Sequence, residues 1–280
     1  MGLERTAPLY DGRPVERIGL GTWRMGGRSS ADPAQDAPAL AALRAALELG
    51  YRHLDTAEMY AGGHTEELIA RALEGYRRED FFITSKVWPN HLRYKQVLEA
   101  CRASLRRLRT GYLDLYLIHW PDPGVPLEET LRALNELHGQ GLVRYIGVSN
   151  FDLELLRRAQ EFSTVPIAAN QVPYSLHRRE YVRNGVLEYC RAQRILLTAY
   201  APVEQGRAAD APEIRRLAEK YRASPVQIAL YWLVRQPGVV AIPMSLNPAH
   251  LKANLETLDL EIDPADMEAL DRLEGGLGPG

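Results

Sequence analysis

FFITSKVWPNHLRYKQVLEACRASLRRLRTGYLDLYLIH, residues 81–119, reads as strand, helix, strand. Phe81 to Lys86 is a short β-rich apolar run, Lys95 to Leu108 is amphipathic at helical spacing, and Leu113 to His119 is a second apolar run. Two strands joined through a helix make a parallel crossover unit, and a chain of such units makes a parallel sheet. Both runs also end on an ionisable residue, Lys86 and His119. Lysine is almost never fully buried without a partner, so a strand ending in one is expected to emerge at a rim.

Outward from this segment the alternation fills the chain. Ile18 to Trp23 precedes the helix Ala37 to Leu49, and Arg52 to Thr56 precedes Thr65 to Glu74. Leu113 to His119 precedes Leu127 to Gly139, Val143 to Ser149 precedes Leu153 to Glu161, and Ile167 to Gln171 precedes Glu180 to Ala192. Ile195 to Tyr200 precedes a helical region from Pro212 to Val234, and Val239 to Pro243 precedes Ala249 to Thr257, with a last helical turn near Ala265 to Leu273. These make eight β/α units in 280 residues, slightly more than the ~250 typical of a closed (β/α)8 TIM barrel. No linker, low-complexity tract or shift in composition divides the chain, so residues 1–280 are expected to form a single catalytic barrel domain. Tyr10 to Val15 carries Asp11-Gly12, a turn signal that predicts a short N-terminal β-hairpin over one barrel end. A doubly wound dinucleotide fold would need a third glycine after Gly19 and Gly21; Arg24 stands there.

Composition narrows the function. A formal charge of −2 gives no reason to expect nucleic acid or an anionic membrane as partner. No apolar run of about 18 residues and no basic stretch followed by an apolar region occurs, so no membrane span or secretion signal is expected and the protein is placed in the cytoplasm as a monomer. Cys101 and Cys190 fall in helical stretches, which suits reduced, buried thiols. The histidines are scattered without metal-ligand spacing, so no metal is expected.

Asp55, Lys86 and His119 stand just past three successive apolar runs, and Tyr60 follows in the loop after Asp55. Strand C-terminal ends and the loops after them build the site of a β/α barrel. Only four lysines occur in the chain, which gives weight to the position of Lys86. A free phenol has a pKa of about 10, and a nearby cation favours the phenolate by ~1 to 3 pH units. Lys86 is therefore expected to lower the pKa of Tyr60 towards the range of a general acid, with Asp55 keeping the ammonium charged. A neutral His119 would offer a ring N–H to a substrate oxygen. Singly, each residue is more often surface, ion pair or packing; their conjunction at one rim shifts the balance.

The local sequences resemble the aldo-keto reductase superfamily. Gly19 to Trp23 reads GLGTW, Asp55 to Tyr60 DTAEMY, Ser85 to Trp88 SKVW, Ile118 to Pro121 IHWP, Gly147 to Phe151 GVSNF and Asn170 to Val172 NQV, in order over nearly the whole chain. The resemblance implies an NAD(P)H-dependent reductase of aldehydes and ketones in which Tyr60 protonates the carbonyl oxygen, Lys86 and Asp55 tune it, and His119 orients the carbonyl. It implies that Ser149, Asn150 and Gln171 hold the nicotinamide carboxamide, that Tyr200 stacks on the ring, and that Thr22, Trp23, Asp55, Ala201 and Val203 contact the cofactor. At the adenosine end many members have Ile-Pro-Lys-Ser followed by an arginine. Here Ile242-Pro243-Met244-Ser245 is followed by His250, with Asn254 at the adenine position. Two cations that would grip a 2'-phosphate are thus replaced, so NADPH is expected by resemblance and NADH use becomes possible.

Trp23, Trp88 and Trp120 follow strand ends and are expected to wall an apolar substrate pocket. A glycine-rich tail soon after Leu273, where many relatives extend a loop, predicts an open pocket and a broad substrate range. The alternative is a reductase-fold regulatory protein, like those accompanying ion channels, that binds cofactor with little turnover. A barrel lyase or isomerase for phosphorylated substrates would need a glycine-rich phosphate loop, which Ala201 to Arg207 and Met244 to Ala249 lack.

Overall fold

Strands β3 (Leu20–Gly21), β4 (His53–Asp55), β5 (Phe82–Val87), β6 (Leu113–Ile118), β7 (Val143–Ser149), β8 (Ala169–Pro173), β9 (Leu196–Tyr200) and β10 (Val239–Ala241) pair in chain order, all parallel. This is a computed structural model, and it describes residues 2–209 and 211–272. The ring closes at a parallel bridge between Ile18 and Ala241, where Gly19 N donates to Ala241 O at 2.8 Å and Ala241 N to Arg17 O at 2.7 Å. The result is the expected (β/α)8 barrel, preceded by an antiparallel hairpin of β1 (Thr6–Pro8) and β2 (Pro14–Glu16) turning at Asp11-Gly12.

The two glycines that fail as a phosphate fingerprint have a use at this seam. A Cβ on Gly19 would lie 2.6 Å from His53 Nδ1, and one on Gly21 would lie 2.5 Å from the Ile242 carbonyl oxygen. The missing side chain at Gly21 lets the first strand approach the last so closely, and the one at Gly19 leaves room for the His53 ring of the neighbouring strand β4. The ladder here is correspondingly short: Leu20–Gly21 with the bridge at Ile18, against an expected strand from Ile18 to Trp23.

Side chains alternate between two faces of the barrel wall. Outward-facing Leu54, Ile83, Tyr116, Ile146, Val172 and Leu197 pack with the helices in the larger core. Inward-facing Phe82, Leu115, Tyr145, Leu196 and Val240 form a second cluster that the hairpin residues Ala7, Leu9 and Val15 close from below. Four residues further along the same inner face the chain turns polar: Lys86 follows Phe82, Ser149 follows Tyr145 and Tyr200 follows Leu196. The barrel is therefore plugged with hydrocarbon at its N-terminal end and lined with polar groups at its C-terminal end.

Two helical regions are each broken in two. Glu180–Arg183 and Val186–Gln193 are separated by Gly185 at φ 83, and Pro212–Tyr221 and Pro225–Val234 by Arg222 at φ 51. At the second break Ser224 and Gln227 make a reciprocal capping box ahead of Pro225, so a new helix starts there. The last helix runs Pro264–Asp271; the glycine-rich tail lies outside the described residues. No helix among the described residues is long and apolar enough to cross a membrane.

Candidate active site

Asp55 ends β4, Lys86 lies near the end of β5, and His119 follows β6 with its N–H on Val87 O at 3.0 Å. Tyr60 is brought back over the barrel mouth by a tight loop: its N–H donates to Ala57 O at 3.0 Å, and Ala61, Gly62 and Gly63 turn the chain through the left-handed region. The Lys86 ammonium, wholly buried, donates to Asp55 Oδ1 at 2.6 Å, Thr56 O at 2.8 Å and the Tyr60 hydroxyl oxygen at 3.3 Å. An ammonium has three donors and no acceptor. All three are therefore spent, and the phenolic oxygen of Tyr60 is an acceptor in this contact. Its own proton must point elsewhere, and the open direction is the cleft that Tyr60 lines. The second Asp55 oxygen accepts Gln171 Nε2 at 2.7 Å, so the buried ion pair is hydrogen-bonded on both partners.

Burial pushes the Tyr60 hydroxyl above its ordinary value; Lys86 pulls it down and Asp55 pushes it up, and burial wins. The sequence-based expectation of a net lowered phenol is thus reversed in sign. Tyr60 is protonated at neutral pH, and the ammonium acts on the charge left after the proton departs. For Lys86, burial works against the charge, but Asp55 and Tyr60 outweigh it and hold the ammonium above its usual range. Burial and, after it, the Lys86 charge push His119 down to about 2, so its imidazole is neutral. His119 Nδ1 is buried without a partner. An orphaned N–H costs more than an unused lone pair, which favours the tautomer with the proton on Nε2.

These groups open into a cleft of about 380 Å³ lined by Thr22, Trp23, Asp55, Met59, Tyr60, His119 and Trp120 and, on the far side, Ser149, Asn150, Gln171, Tyr200, Ala201, Val203 and Met244. Trp23 packs on Tyr60 with ring centroids 5.0 Å apart. Trp88 does not line the cleft; its ring stands edge-on to His119 at 5.0 Å. Ser245, His250 and Asn254 also lie off the lining. His250 is exposed, Ser245 accepts Asn247 N–H at 3.1 Å, and Asn254 is buried within hydrogen-bonding reach of the Tyr51 hydroxyl. Met59, Arg24, Pro202, Glu204, Gln205 and Pro243 line the cleft without having been expected. Met59 and Pro243 lie inside stretches quoted for the resemblance and Arg24 directly follows one, whereas Glu204 and Gln205 adjoin none of them.

The residues expected to face a carboxamide form a hydrogen-bonded set. Asn150, at φ 62, donates to His119 O and Ser149 Oγ, both at 3.0 Å, and accepts from the Tyr200 hydroxyl at 2.9 Å. Ser149 Oγ donates to Gln171 O at 2.8 Å. Gln171 spends an amide N–H on Asp55 and keeps its carbonyl oxygen as an acceptor at the cleft. A fixed acceptor beside locked amide and hydroxyl groups, with Tyr200 lining the same cleft, fits an amide-bearing aromatic ring.

The pattern of the Aldo/keto reductase family matches residues 17–274. Methylglyoxal reductase YeaE of Escherichia coli (strain K12) is 39% identical over 264 residues, 91% of this chain and 89% of that protein. Glyoxal reductase of Bacillus subtilis is 35% identical over 273 residues, 97% and 93%. The crystal structure of the thermostable aldo-keto reductase Tm1743 with the inhibitor epalrestat superimposes with a TM-score of 0.92 at 43% identity, covering 97% of this chain and 99% of that one. An aldo/keto reductase from Klebsiella pneumoniae, in complex with NADP and acetate, gives 0.88 at 36%, covering 99% and 98%.

Proposed function

From the premise that this chain belongs to the Aldo/keto reductase family and is an NAD(P)H-dependent oxidoreductase reducing aldehydes and ketones to alcohols, we propose residue roles: Tyr60 is the general acid, Lys86 and Asp55 govern its proton, and His119 orients the carbonyl. The observation that carries this reading is the Lys86 ammonium with all three donors spent, one of them on the Tyr60 oxygen, so that the phenolic proton is turned out to the cleft. When bound, the dihydronicotinamide supplies the hydride to the carbonyl carbon. As negative charge grows on the substrate oxygen, the Tyr60 proton moves to it, and the phenolate left behind sits 3.3 Å from Lys86 Nζ. The neutral His119, protonated on Nε2, donates to the same oxygen and fixes which lone pair faces Tyr60.

Two of the similar enzymes are named for methylglyoxal and glyoxal, and a cleft of about 380 Å³ takes a small carbonyl compound beside a nicotinamide ring. Small aldehydes and α-dicarbonyls are the proposed substrates. The proposed cofactor is NADPH, with NADH also accepted. Met244 and the exposed His250 offer no permanent cation to a 2'-phosphate, and each charge-assisted hydrogen bond so lost is worth ~1.5 to 3 kcal/mol, less where water reaches it. The proposed working unit is the monomer, residues 1–280 acting as one catalytic domain in the cytoplasm.

The test is NADPH oxidation with methylglyoxal, followed by absorbance, for the wild type and Tyr60→Phe, with NADH in a parallel arm. Turnover by the wild type is expected, with kcat lowered ~10²- to 10⁴-fold by the substitution while cofactor affinity holds. Tight cofactor binding without turnover by the wild type would move the protein to the regulatory reading, and an active Tyr60→Phe would remove Tyr60 from the acid role.

A further inference from the structure

We infer that Glu58 is a positioning residue for the reaction, the clamp that sets the distance from Tyr60 to Lys86 and holds the ring that backs His119; the inference rests on the roles proposed above. Glu58 sits between Asp55 and Tyr60 but does not line the cleft, and its side chain is only 8% exposed. Its backbone N–H donates to Lys86 O at 3.3 Å, and its carboxylate Oε1 accepts Trp88 N–H at 2.6 Å. One residue of the Tyr60 loop thus grips the backbone of the Lys86 strand on both sides of Val87. The same oxygen lies 3.0 Å from His91 Nδ1, and His91 N–H donates to Trp88 O at 2.9 Å, which closes the turn that follows β5.

Two consequences follow for the reacting groups. The loop holding the Tyr60 hydroxyl 3.3 Å from Lys86 Nζ has no helix or sheet of its own beyond one tight turn, so its height above the barrel mouth depends on such ties. Trp88, whose N–H is the anchor, stands edge-on to His119 at 5.0 Å, and a neutral imidazole with no partner on Nδ1 is held in plane by that ring and by the Tyr60 ring at 5.9 Å, both on elements that Glu58 ties together. Releasing the Glu58 clamp lets both donors drift relative to one another. The hydrogen-bonded set of Ser149, Asn150 and Gln171 shares no contact with Glu58, so cofactor affinity is left alone.

The experiment compares Glu58→Ala, Glu58→Asp and Glu58→Gln with the wild type by steady-state kinetics, NADPH titration and circular dichroism. Glu58→Ala is expected to lower kcat ~10- to 100-fold with an unchanged NADPH dissociation constant, the effect of about 1 Å of misplacement. Glu58→Gln keeps an oxygen that accepts the Trp88 N–H and is expected within ~3-fold of the wild type. Should Glu58→Ala fail to fold, Glu58→Asp replaces it: the charge is retained, the acceptor is withdrawn by one methylene, and kcat must still fall. A kcat near the wild-type value in the folded Ala or Asp variant, or a loss seen only as weaker cofactor binding, overturns the inference. Tyr60→Phe run alongside separates the cases: if it stays active, the proposed acid role has failed, and if it is dead while Glu58→Ala is fully active, only the clamp has failed.

Discussion

Lys86→Met separates what the buried ammonium does for the fold from what it does for the chemistry. The substitution leaves the Asp55 carboxylate, 1% exposed, with the Gln171 amide but no counter-charge. Breaking a buried pair from one side costs about 3–5 kcal/mol. For a chain of this size that lowers Tm by roughly 6–20 °C. Chemically, an ammonium 3.3 Å from a full phenolate charge contributes about 5 kcal/mol, 332/(20 × 3.3), at an effective dielectric of about 20. With about half that charge developed in the transition state the loss is ~2.5 kcal/mol, or ~70-fold in kcat, and up to ~10³-fold if proton transfer is later. The assay is NADPH oxidation at saturating aldehyde, at a temperature where the variant is folded, beside thermal and urea unfolding. Asp55→Asn combined with Lys86→Met removes the stranded charge while keeping an acceptor for Gln171, so it is expected to recover most of the stability and none of the turnover. A Lys86→Met kcat within ~5-fold of the wild type, or a double variant that regains kcat, would refute the electrostatic role given to Lys86.

His119 predicts acid sensitivity of the fold. Its folded-state value of about 2 lies below the ordinary 6.5, so its stabilisation is present above pH 6.5 and is lost as pH falls through the window between them. At pH 5 the loss is about 2 kcal/mol, from ~1.4 kcal/mol per pH unit, and His119→Gln should remove it from urea-unfolding curves. An unchanged slope would mean that the imidazole is not held neutral; the buried His53, also pushed down by burial, contributes in the same direction and remains as background in both proteins. Gly21→Ala should destabilise by about 1–3 kcal/mol, because its Cβ would meet the Ile242 backbone oxygen at 2.5 Å and backbone cannot move aside cheaply. Equal stability of the two proteins by chemical denaturation would show that the seam between β3 and β10 is looser than drawn. Met244→Lys is expected to raise the ratio of NADPH to NADH kcat/KM by ~10-fold, about the 1.4 kcal/mol of one partly solvated charge-assisted contact; an unmoved ratio would place the 2'-phosphate away from residue 244.

What was legible in the sequence follows from what strand and helix periodicity record. The ends of β4, β5 and β6 were visible because apolar runs stop at Asp55, Lys86 and His119, and a parallel barrel gathers such ends at one rim. The capping box at Ser224 was equally present as a local signal, as was the change from the charged stretch Pro212–Tyr221 to the apolar one Pro225–Val234, although the two read together as one helical region. Trp88 shares strand parity with Lys86, but the chain leaves the strand at Val87 and the Glu58 carboxylate, thirty residues away in sequence, takes its N–H, so its ring stands against His119 and off the cleft lining. The cleft residues after β9 lie in a loop where Ala201, Glu204 and Gln205 all adopt positive φ, a conformation that those residue types do not advertise. The pKa of Tyr60 shows the deepest gap. Sequence supplied the neighbours, a cation and an anion, but the sign depends on how much water is excluded, and burial is a property of the assembled barrel. Once that is known, the ammonium's role changes: it does not make the resting phenol acidic, it turns the phenolic proton towards the cleft by occupying the oxygen's lone pair and then holds the charge that appears when the proton has gone.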